Sequence, residues 1–296
     1  MHMLGIIGVG NMGSAIASRV KGRVLLSDKN KRISDNITVA RGSDIIILAV
    51  KPQDIREVLG EIRPYAKGKL IISIAAGVTT LSIEKALGFG SRVIRVMPNM
   101  PAVAGMAVSA VSRGRFARKR DLKTCSRIFL SLGEVVEVKE KMMDAVTAVS
   151  GSGPAYYFLF THLLAGAGEA NGLRRDLAVK LARATFIGAA EVARSGDLSM
   201  EELVKKVASR GGTTEAGLKV FAQKRLHSII KGAVRSALKR SRNLTLSTMS
   251  KVSSCGVKGE GGDAKGRDYR RQRVIPDGRV ERYKGSGSGD AFRGAV

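Results

Sequence analysis

The chain has 296 residues, 44% of them hydrophobic, which is enough for one large or two ordinary globular domains and excludes disorder throughout. Trp is absent, aromatic residues make up 4% and there are two cysteines, which argues against a stacking platform for single-stranded nucleic acid, a disulfide framework and a four-cysteine zinc site. Lys and Arg number 51 against 25 Asp and Glu, and the net charge of +26 leaves nucleic acid, an anionic cofactor or a bias of the source genome open.

The first half of the chain alternates short apolar runs with helical periodicity. Runs rich in β-branched residues predict strands at 4–8, 23–26, 45–50, 70–75, 92–97, 107–111 and 134–138. Helical patterns are predicted between several of them, at 12–20, 55–62 and 116–132. This alternation predicts an α/β domain with a parallel sheet over residues 1–143.

The pattern becomes helical after residue 143. Apolar residues three and four apart predict helices at 156–168, 175–194, 199–208 and 214–242, and therefore an all-helical domain over residues 144–244. The uncharged stretch 145–168 is long enough to span a bilayer, but its Gly, Ser and Pro residues favour a loop that leads into a buried helix. We therefore expect no membrane association.

The last segment, residues 245–296, contains ten Gly and eleven Lys or Arg and has lost its apolar periodicity. Such a basic, Gly-rich tail cannot bury enough apolar surface to fold alone, so we expect it to be disordered. It is either a natural appendage or translation past a lost stop codon. At the other end, no signal peptide is expected, and with few cysteines this predicts a cytoplasmic location.

A GxGxxG motif follows the first predicted strand and opens the first helix. In this context the first glycine allows a tight turn, the second lets a pyrophosphate approach the backbone, and the third permits close helix packing. N–H groups at the helix start would face the phosphates. The candidate cofactor-binding residues here are Gly8, Gly10, Asn11, Met12 and Gly13.

Asp28 lies 20 residues after Gly8, at the end of the second predicted strand. An acid at this position usually binds the ribose hydroxyls of NAD, whereas the adjacent Lys29, Lys31 and Arg32 could hold the 2′-phosphate of NADP. It is also possible that Asp28 only caps a turn. The cofactor is therefore NADPH or NADH, with a slight preference for NADPH.

Two further segments follow buried strands and consist of small residues. In a doubly wound sheet, such strand ends lie beside the dinucleotide, so both segments could approach its nicotinamide half. The alternative is that they are ordinary loops between strand and helix. The candidate residues are Ala49, Val50, Lys51 and Pro52 in the first segment and Ala75, Ala76 and Gly77 in the second.

The helical half contains two Gly-rich segments, at 150–154 and 209–214. The first could suggest a catalytic serine, but a serine nucleophile needs an oriented histidine, and His162 and His227 fall in helical patterns. Its N–H groups and hydroxyls could instead face a cofactor or an anionic substrate. The second segment could bind a carboxylate at a helix start or be a plain N-cap. No metal-ligand spacing is evident, so no metal is expected.

The segments GVGNMGSAI (8–16), LAVKPQ (48–53), ISIAAGV (72–78), RVMPNMPAVAGMAV (95–108), DAVTAVSGSGPAYYF (144–158) and the GGTTEAGL run (211–218) occur in an order that resembles the pyrroline-5-carboxylate reductase family. The resemblance covers residues 3–244. It implies a Rossmann-like cofactor domain, a helical dimerisation and substrate domain, and the NAD(P)H-dependent reduction of 1-pyrroline-5-carboxylate to L-proline. It also implies a homodimer through the helical domain, assembled further in some members.

The resemblance also implies roles for individual residues. Thr214 would donate a hydrogen bond to the substrate ring nitrogen, as the one catalytic side chain. Backbone N–H groups would hold the substrate carboxylate, and further residues would shape the pocket; the substrate-binding set is Gly212, Thr213, Thr214, Glu215, Ser150, Gly151, Ser152 and Asn99. Asn36 would contact the adenosine ribose side of the cofactor.

The sequence departs from the family at several positions. Arg210 stands where the family has Pro, Met100 where it has Thr, and Lys224-Arg225 where it has Gly-Gly. The segment 28–44 is short and leaves little room for a crossover helix. Because of these departures, one alternative interpretation is that the protein is an inactive paralogue of the family. Unspecific nucleic-acid binding by the basic residues 219–242 is a second open reading, and another imine or hydroxyacid reductase of the same two-domain plan is a third.

Overall fold

The computed structural model describes residues 2–31, 33–196, 198–253, 272–274 and 280–282. They divide into two compact units: residues up to Thr147 together with those from Ser241 onward, and Ala148–Arg240 between them. The predicted helical domain began at 144 and ended at 244, so both of its ends belong to the first unit instead. The physical reason is local, because Asp144 accepts hydrogen bonds from Ser241 and Thr245.

The first unit contains a seven-stranded sheet in the order β2-β1-β3-β4-β5-β6-β7. Every neighbouring pair is parallel except β5 with β6, which is antiparallel. Its strands are β1 (Leu4–Ile7), β2 (Val24–Ser27), β3 (Ile45–Leu48), β4 (Leu70–Ser73), β5 (Arg92–Met97), β6 (Ala107–Arg113) and β7 (Gly133–Glu137). All seven were predicted from apolar runs.

Both faces of the sheet are buried along β1, β3 and β4, whereas β7 at one edge is largely exposed. Ile6, Ile47, Ile72 and Ile94 lie in one register row and pack into the core on one face. Their neighbours along the strands, such as Ile46 and Ile71, pack into the core on the other face. Parallel strands that are buried on both faces read as continuous apolar runs, which is why the sequence identified them.

Helices cover the sheet: α1 (Asn11–Arg19), α2 (Asn36–Gly42), α3 (Ile55–Ile62), α4 (Thr80–Leu87) and α5 (Lys119–Leu130). Neither α2 nor α4 was predicted. Although 28–44 is short, it still accommodates α2, which Asp35 caps by accepting a hydrogen bond from the Thr38 N–H. The start of α4 is capped in the same way by Thr79, and this Thr-x-x-Ser pattern was the sequence signal for it.

After a short helix, α6 (Met143–Val146), the chain forms a π-helical turn at Thr147–Gly151. The remaining helices are α7 (Gly153–Ala170), α8 (Arg175–Arg194), α9 (Met200–Val207), α10 (Thr213–Gln223) and α11 (Leu226–Ser253). The loop predicted at 150–154 is therefore wrong: these residues close a π-helical turn and begin α7.

The helix predicted at 214–242 is two helices. It breaks at Arg225, whose φ of 52° is left-handed, and α11 then continues to Ser253 past the predicted boundary at 244. Of the predicted tail, residues 254–271, 275–279 and 283–296 lie outside the described residues. The short segments β8 (Gln272–Val274) and β9 (Val280–Arg282) pair antiparallel. No helix in the described part of the chain is long and apolar enough to cross a membrane.

Candidate active site

The glycine motif forms a turn in which two positions exclude any side chain. Gly8 has φ +95°, and a Cβ there would lie 2.7 Å from the carbonyl oxygen of Ala49. A Cβ on Gly13 would overlap the carbonyl oxygen of Gly8. These two glycines therefore let β1, β3 and α1 approach one another closely.

Gly10 differs from its neighbours in the motif. A Cβ on Gly10 would meet no protein atom within 4 Å and would project into the open space beside the turn. Gly10 is also the N-cap of α1 and offers no side-chain cap, so the first N–H groups of the helix, at Asn11, Met12 and Gly13, have no intrahelical acceptor. Open space in front of uncapped N–H donors fits the pyrophosphate of a dinucleotide.

Asp28 follows β2 and braces this turn. One carboxylate oxygen accepts a hydrogen bond from the Val9 N–H at 2.7 Å and the other from the Asn30 N–H at 2.9 Å. The Lys31 ammonium donates to the carbonyl oxygen of Val9 at 2.5 Å. The carboxylate of Asp28 thus caps a turn, which is one of the two roles that the sequence analysis gave for it. The other role, binding of the cofactor ribose, stays a prediction. Arg32 lies outside the described residues.

Asn36, the first residue of α2, is held on both sides by protein groups. Its Oδ1 accepts a hydrogen bond from the Ser27 hydroxyl at 2.8 Å, and its Nδ2 donates to Glu61 at 2.6 Å. Contact with the adenosine ribose would require an exchange of one of these bonds. That role also stays a prediction.

The two small-residue segments lie at the carboxyl ends of β3 and β4, the edge at which the glycine turn lies. The Ala49 N–H donates to the carbonyl oxygen of Ile7, and Gly77 has φ +73°. Lys51 is exposed, and Val50 and Pro52 are half-buried. The structure thus brings the three predicted cofactor segments to one edge of the sheet, where such folds bind dinucleotides.

Asn99 follows β5 in the same unit. Its Oδ1 accepts a hydrogen bond from the Val108 N–H at 3.0 Å, so the side chain fixes the connection between β5 and β6. This hydrogen bond occupies the side-chain oxygen of Asn99 with a backbone donor. Its contribution to the substrate pocket stays a prediction.

The remaining predicted substrate residues are in the second unit. Ser150 and Gly151 end the π-helical turn, and Ser152 is the N-cap of α7. π-Helical turns occur frequently at functional sites, because the wider turn displaces backbone groups from their usual partners. Ser150, Gly151 and Ser152 are half-buried rather than enclosed.

The segment before α10 presents another helix start without a side-chain cap. Gly212 is its N-cap, and Gly211 before it has φ +73°. Glu215 reaches back and accepts a hydrogen bond from the Gly211 N–H at 2.6 Å, which fixes the turn. Thr214 is half-buried, and Thr213 and Arg210 are exposed. Glu215 therefore acts on the turn itself, and the uncapped N–H groups are suited to a carboxylate.

Serine-nucleophile chemistry finds no support in the described residues. His162 is exposed on α7, and the Nε2 of His227 lies 3.0 Å from the hydroxyl of the adjacent Ser228. Within the described part of the chain, no three His, Cys, Asp or Glu side chains group as metal ligands would.

Apolar side chains in the second unit are exposed in the single chain. On α7, Tyr157 is 64% exposed and Leu163 is 59% exposed, and Ile187 on α8 is 60% exposed. The buried helix predicted after the 150–154 segment is therefore buried only if another subunit covers it. Surfaces of this kind mark protein–protein interfaces.

Comparison with known proteins gives matches for the helical unit and for most of the chain. Residues 140–244 match the family described as pyrroline-5-carboxylate reductase dimerisation, and residues 21–77 match NADP oxidoreductase coenzyme F420-dependent. Pyrroline-5-carboxylate reductase of Pisum sativum is 36% identical, covering 82% of this chain and 96% of the relative. That of Synechocystis sp. is 39% identical over 81% and 97%. The chain belongs to the pyrroline-5-carboxylate reductase family.

Solved structures agree. The Plasmodium falciparum pyrroline carboxylate reductase with NADP bound has a TM-score of 0.75 at 35% identity, covering 82% of this chain and 98% of that one. The Coxiella burnetii enzyme has a TM-score of 0.76 at 32% identity, with the same coverage. The helical unit thus lies within the region that matches the dimerisation domain of this family, and the chain as a whole resembles solved reductases of the family, one of them with NADP bound.

Proposed function

We propose that the chain reduces 1-pyrroline-5-carboxylate to L-proline with the cofactor at the glycine turn and the substrate at the α10 start. The observation that carries this assignment is the open space at Gly10 in front of the uncapped start of α1. It lies in a chain whose helical unit matches the dimerisation domain of this reductase family.

The first unit holds the cofactor. N–H groups of Asn11, Met12 and Gly13 bind the pyrophosphate, and the segments 49–52 and 75–77 flank the nicotinamide half. When bound, NAD(P)H supplies the hydride for C5 of the imine ring. The chain itself contributes orientation, because holding two reactants in contact removes much of the entropic barrier.

The second unit holds the substrate. Backbone N–H groups at Thr213–Glu215 bind the carboxylate, since the Gly212 N–H already donates to the Ser209 carbonyl at 3.0 Å. The Thr214 hydroxyl forms a hydrogen bond with the ring nitrogen. The hydroxyl donates to a neutral imine and accepts from the N–H once that nitrogen is protonated. Ser150–Ser152 shape the pocket within this unit. An imine protonated from solvent is already electrophilic, so this chemistry requires no protein acid.

We further propose NADPH as the preferred cofactor. The Lys31 ammonium lies at the Val9 carbonyl beside the ribose end of the turn, and Lys29 pairs with Asp54 at 3.1 Å. Asp28 supports the backbone rather than pointing an unoccupied carboxylate at the ribose. A cation beside a supported turn favours a 2′-phosphate.

The cytoplasm is the proposed compartment. Cys125 is a free, fully buried thiol, and burial raises its pKa far above the ordinary range, so it is not a reactive thiolate. The sequence has only two cysteines, too few for a disulfide framework, which is typical of proteins in a reducing compartment. Cell fractionation with a tagged chain tests this placement; recovery with an exported or organellar fraction contradicts it.

The decisive experiment follows NADPH and NADH absorbance with 1-pyrroline-5-carboxylate. We expect imine-dependent oxidation, with a higher kcat/KM for NADPH. Thr214→Ala should lower kcat/KM by about tenfold to a hundredfold, whereas Thr214→Ser should retain most of it because the hydroxyl remains. Absence of turnover from folded dimer that binds nucleotide would contradict the assignment.

A further inference from the structure

Two carboxylates lie one helical turn apart where the chain leaves the first unit. Glu140 accepts two hydrogen bonds from Thr80, from its N–H at 2.8 Å and from its hydroxyl at 2.6 Å. Asp144 accepts from the Ser241 hydroxyl at 2.7 Å and from the Thr245 hydroxyl at 3.1 Å with the same oxygen, Oδ1. The two acids thus join segments that are far apart in sequence.

A buried cation lies beside one of these acids, Glu140. The Arg95 side chain on β5 is 4% exposed, and its Nη1 lies 3.6 Å from Glu140. The charge of Asp144 also attracts the guanidinium. A charge at this depth is costly without a partner, and the ion pair with Glu140 offsets part of that cost, while Arg95 Nη2 is buried without a hydrogen-bond partner among the described residues. Arg95 interrupts an otherwise apolar strand, and that interruption is the sequence signal for the cluster.

The cluster lies on the C-terminal side of the proposed cofactor segment Ala75–Gly77. Gly77 has φ +73°, and a Cβ on it would lie 3.1 Å from Leu244 C and from Thr245 N. Three residues later, Thr80 begins α4 and is bound by Glu140. The part of α11 at Leu244–Thr245 therefore lies against Gly77, and Glu140 fixes the start of α4, the helix that follows Gly77.

We propose that Asp144, Ser241 and Thr245 are positioning residues that hold the segment Ala75–Gly77 for the cofactor. Their hydrogen bonds seat the end of α11 against Gly77, which restricts a strand-end segment that would otherwise sample several conformations. Thr245 lies one residue beyond the family match at 140–244, so these hydrogen bonds include a residue of the segment 245–296. The inference rests on the proposed cofactor role of 75–77.

The test removes both hydroxyl donors with the double variant Ser241→Ala/Thr245→Val in the full-length dimer. NADPH affinity is measured from the fluorescence of the nucleotide itself, since the chain has no Trp. We expect the Kd to rise by about threefold to tenfold, with a parallel rise in the KM for NADPH and a smaller change in the KM for the imine. Thr245→Ser should restore the affinity lost in Thr245→Val, because it retains the donor.

Two control variants separate positioning from stability. Ser247→Ala removes an exposed hydroxyl of α11 that bonds to the Leu244 carbonyl. Cys125→Ala creates a small cavity on α5, which packs on β5, β6 and β7. Both should leave the Kd unchanged, the second despite a lower Tm. If the double variant lowers the Tm without changing the Kd, or if Cys125→Ala raises the Kd as much, the inference is wrong.

Failure of the inference can be told from failure of the proposed cofactor site. Gly10→Ala tests the proposed cofactor site independently of α11. If Gly10→Ala abolishes NADPH binding while the double variant binds normally, the cofactor site is supported and the positioning role of Ser241 and Thr245 is wrong. If the double variant does not fold, Thr245→Val alone, which removes the longer of the two hydrogen bonds, decides the question by the same comparison.

Discussion

Gly8 and Gly13 meet so closely that the carbonyl oxygen of Gly8 occupies the place of a Cβ on Gly13. Gly10, between them in sequence, faces open space. Three glycines of one motif thus have two different physical tasks: two of them let the backbone pack, and one leaves room for a ligand.

This division predicts opposite outcomes for two alanine variants. Gly10→Ala should keep the Tm of the parent and weaken NADPH binding by at least about tenfold, because the new methyl group projects to where the pyrophosphate approaches. Gly13→Ala should lower the free energy of unfolding by about 3 kcal/mol, because its methyl group collides with backbone. Thermal unfolding and nucleotide titration measure both. A Gly10→Ala protein with normal affinity would contradict the site.

Replacing Arg225 with glycine should stabilise the protein. Among the described non-glycine residues it alone has a left-handed φ, of 52°, and that conformation costs an L-residue about 1–2 kcal/mol. After allowing for the greater freedom of glycine in the unfolded chain, we expect Arg225→Gly to gain about 1 kcal/mol. The matched control is Lys224→Gly, whose φ of −80° suits any residue and which should destabilise. Denaturation is compared at one protein concentration, since dimerisation contributes to stability.

Glu84 predicts a pH dependence of stability. Its side chain is buried, and burial raises the pKa of the carboxyl, opposed by hydrogen bonds from the backbone of Arg115 and Phe116. Because the folded state binds this proton more tightly than the unfolded state, its contribution to stability is lost as pH rises from the ordinary carboxyl range through the raised pKa.

The Glu84→Gln variant does not titrate at this position. Its free energy of unfolding should therefore gain on the parent as pH increases above the ordinary carboxyl range, measured by denaturant titration at several pH values. Glu134→Gln, on an exposed residue of β7, controls for the change in net charge. A constant difference between Glu84→Gln and the parent at all pH values would show that Glu84 has the same proton affinity folded and unfolded.

Arg210 replaces the family's proline before the α10 start and is exposed. A cation near a bound carboxylate should assist binding modestly, so Arg210→Gln should raise the KM for the imine by about twofold to fivefold with little change in kcat. The effect should shrink at high salt, because exposed charges are screened. Arg174→Gln, an exposed arginine before α8, is the control. Equal KM values in both variants would contradict a role for Arg210.

Lys31 should contribute to cofactor choice. Lys31→Gln removes the cation beside Val9 and should lower the NADPH to NADH ratio of kcat/KM by about threefold to tenfold. Lys67→Gln, an exposed lysine that follows α3, should leave the ratio unchanged. An unaltered ratio in Lys31→Gln would place the selectivity elsewhere.

Local patterns in the sequence were sufficient for the strands and the glycine turn. The central strands read as continuous apolar runs because both of their faces are buried, and Gly8 and Gly13 of the GxGxxG motif mark a backbone geometry that excludes a side chain. Helical periodicity predicted a helix that begins at Thr214, close to the observed start of α10, whereas the loop predicted at 150–154 is the end of a π-helical turn and the start of α7. Helix α2 escaped prediction because so short a segment carries little periodicity.

The alternation of strands and helices, the cofactor turn and the family could therefore be read from the chain alone, since each depends on residues that are neighbours in sequence. Three relationships became visible only in the folded molecule: α11 from Ser241 onward belongs to the first unit, Asp28 braces Val9, and buried Arg95 pairs with Glu140. They join residues that are distant in sequence, and the free energy that selects them comes from burial and hydrogen bonding, which exist only once the chain has folded.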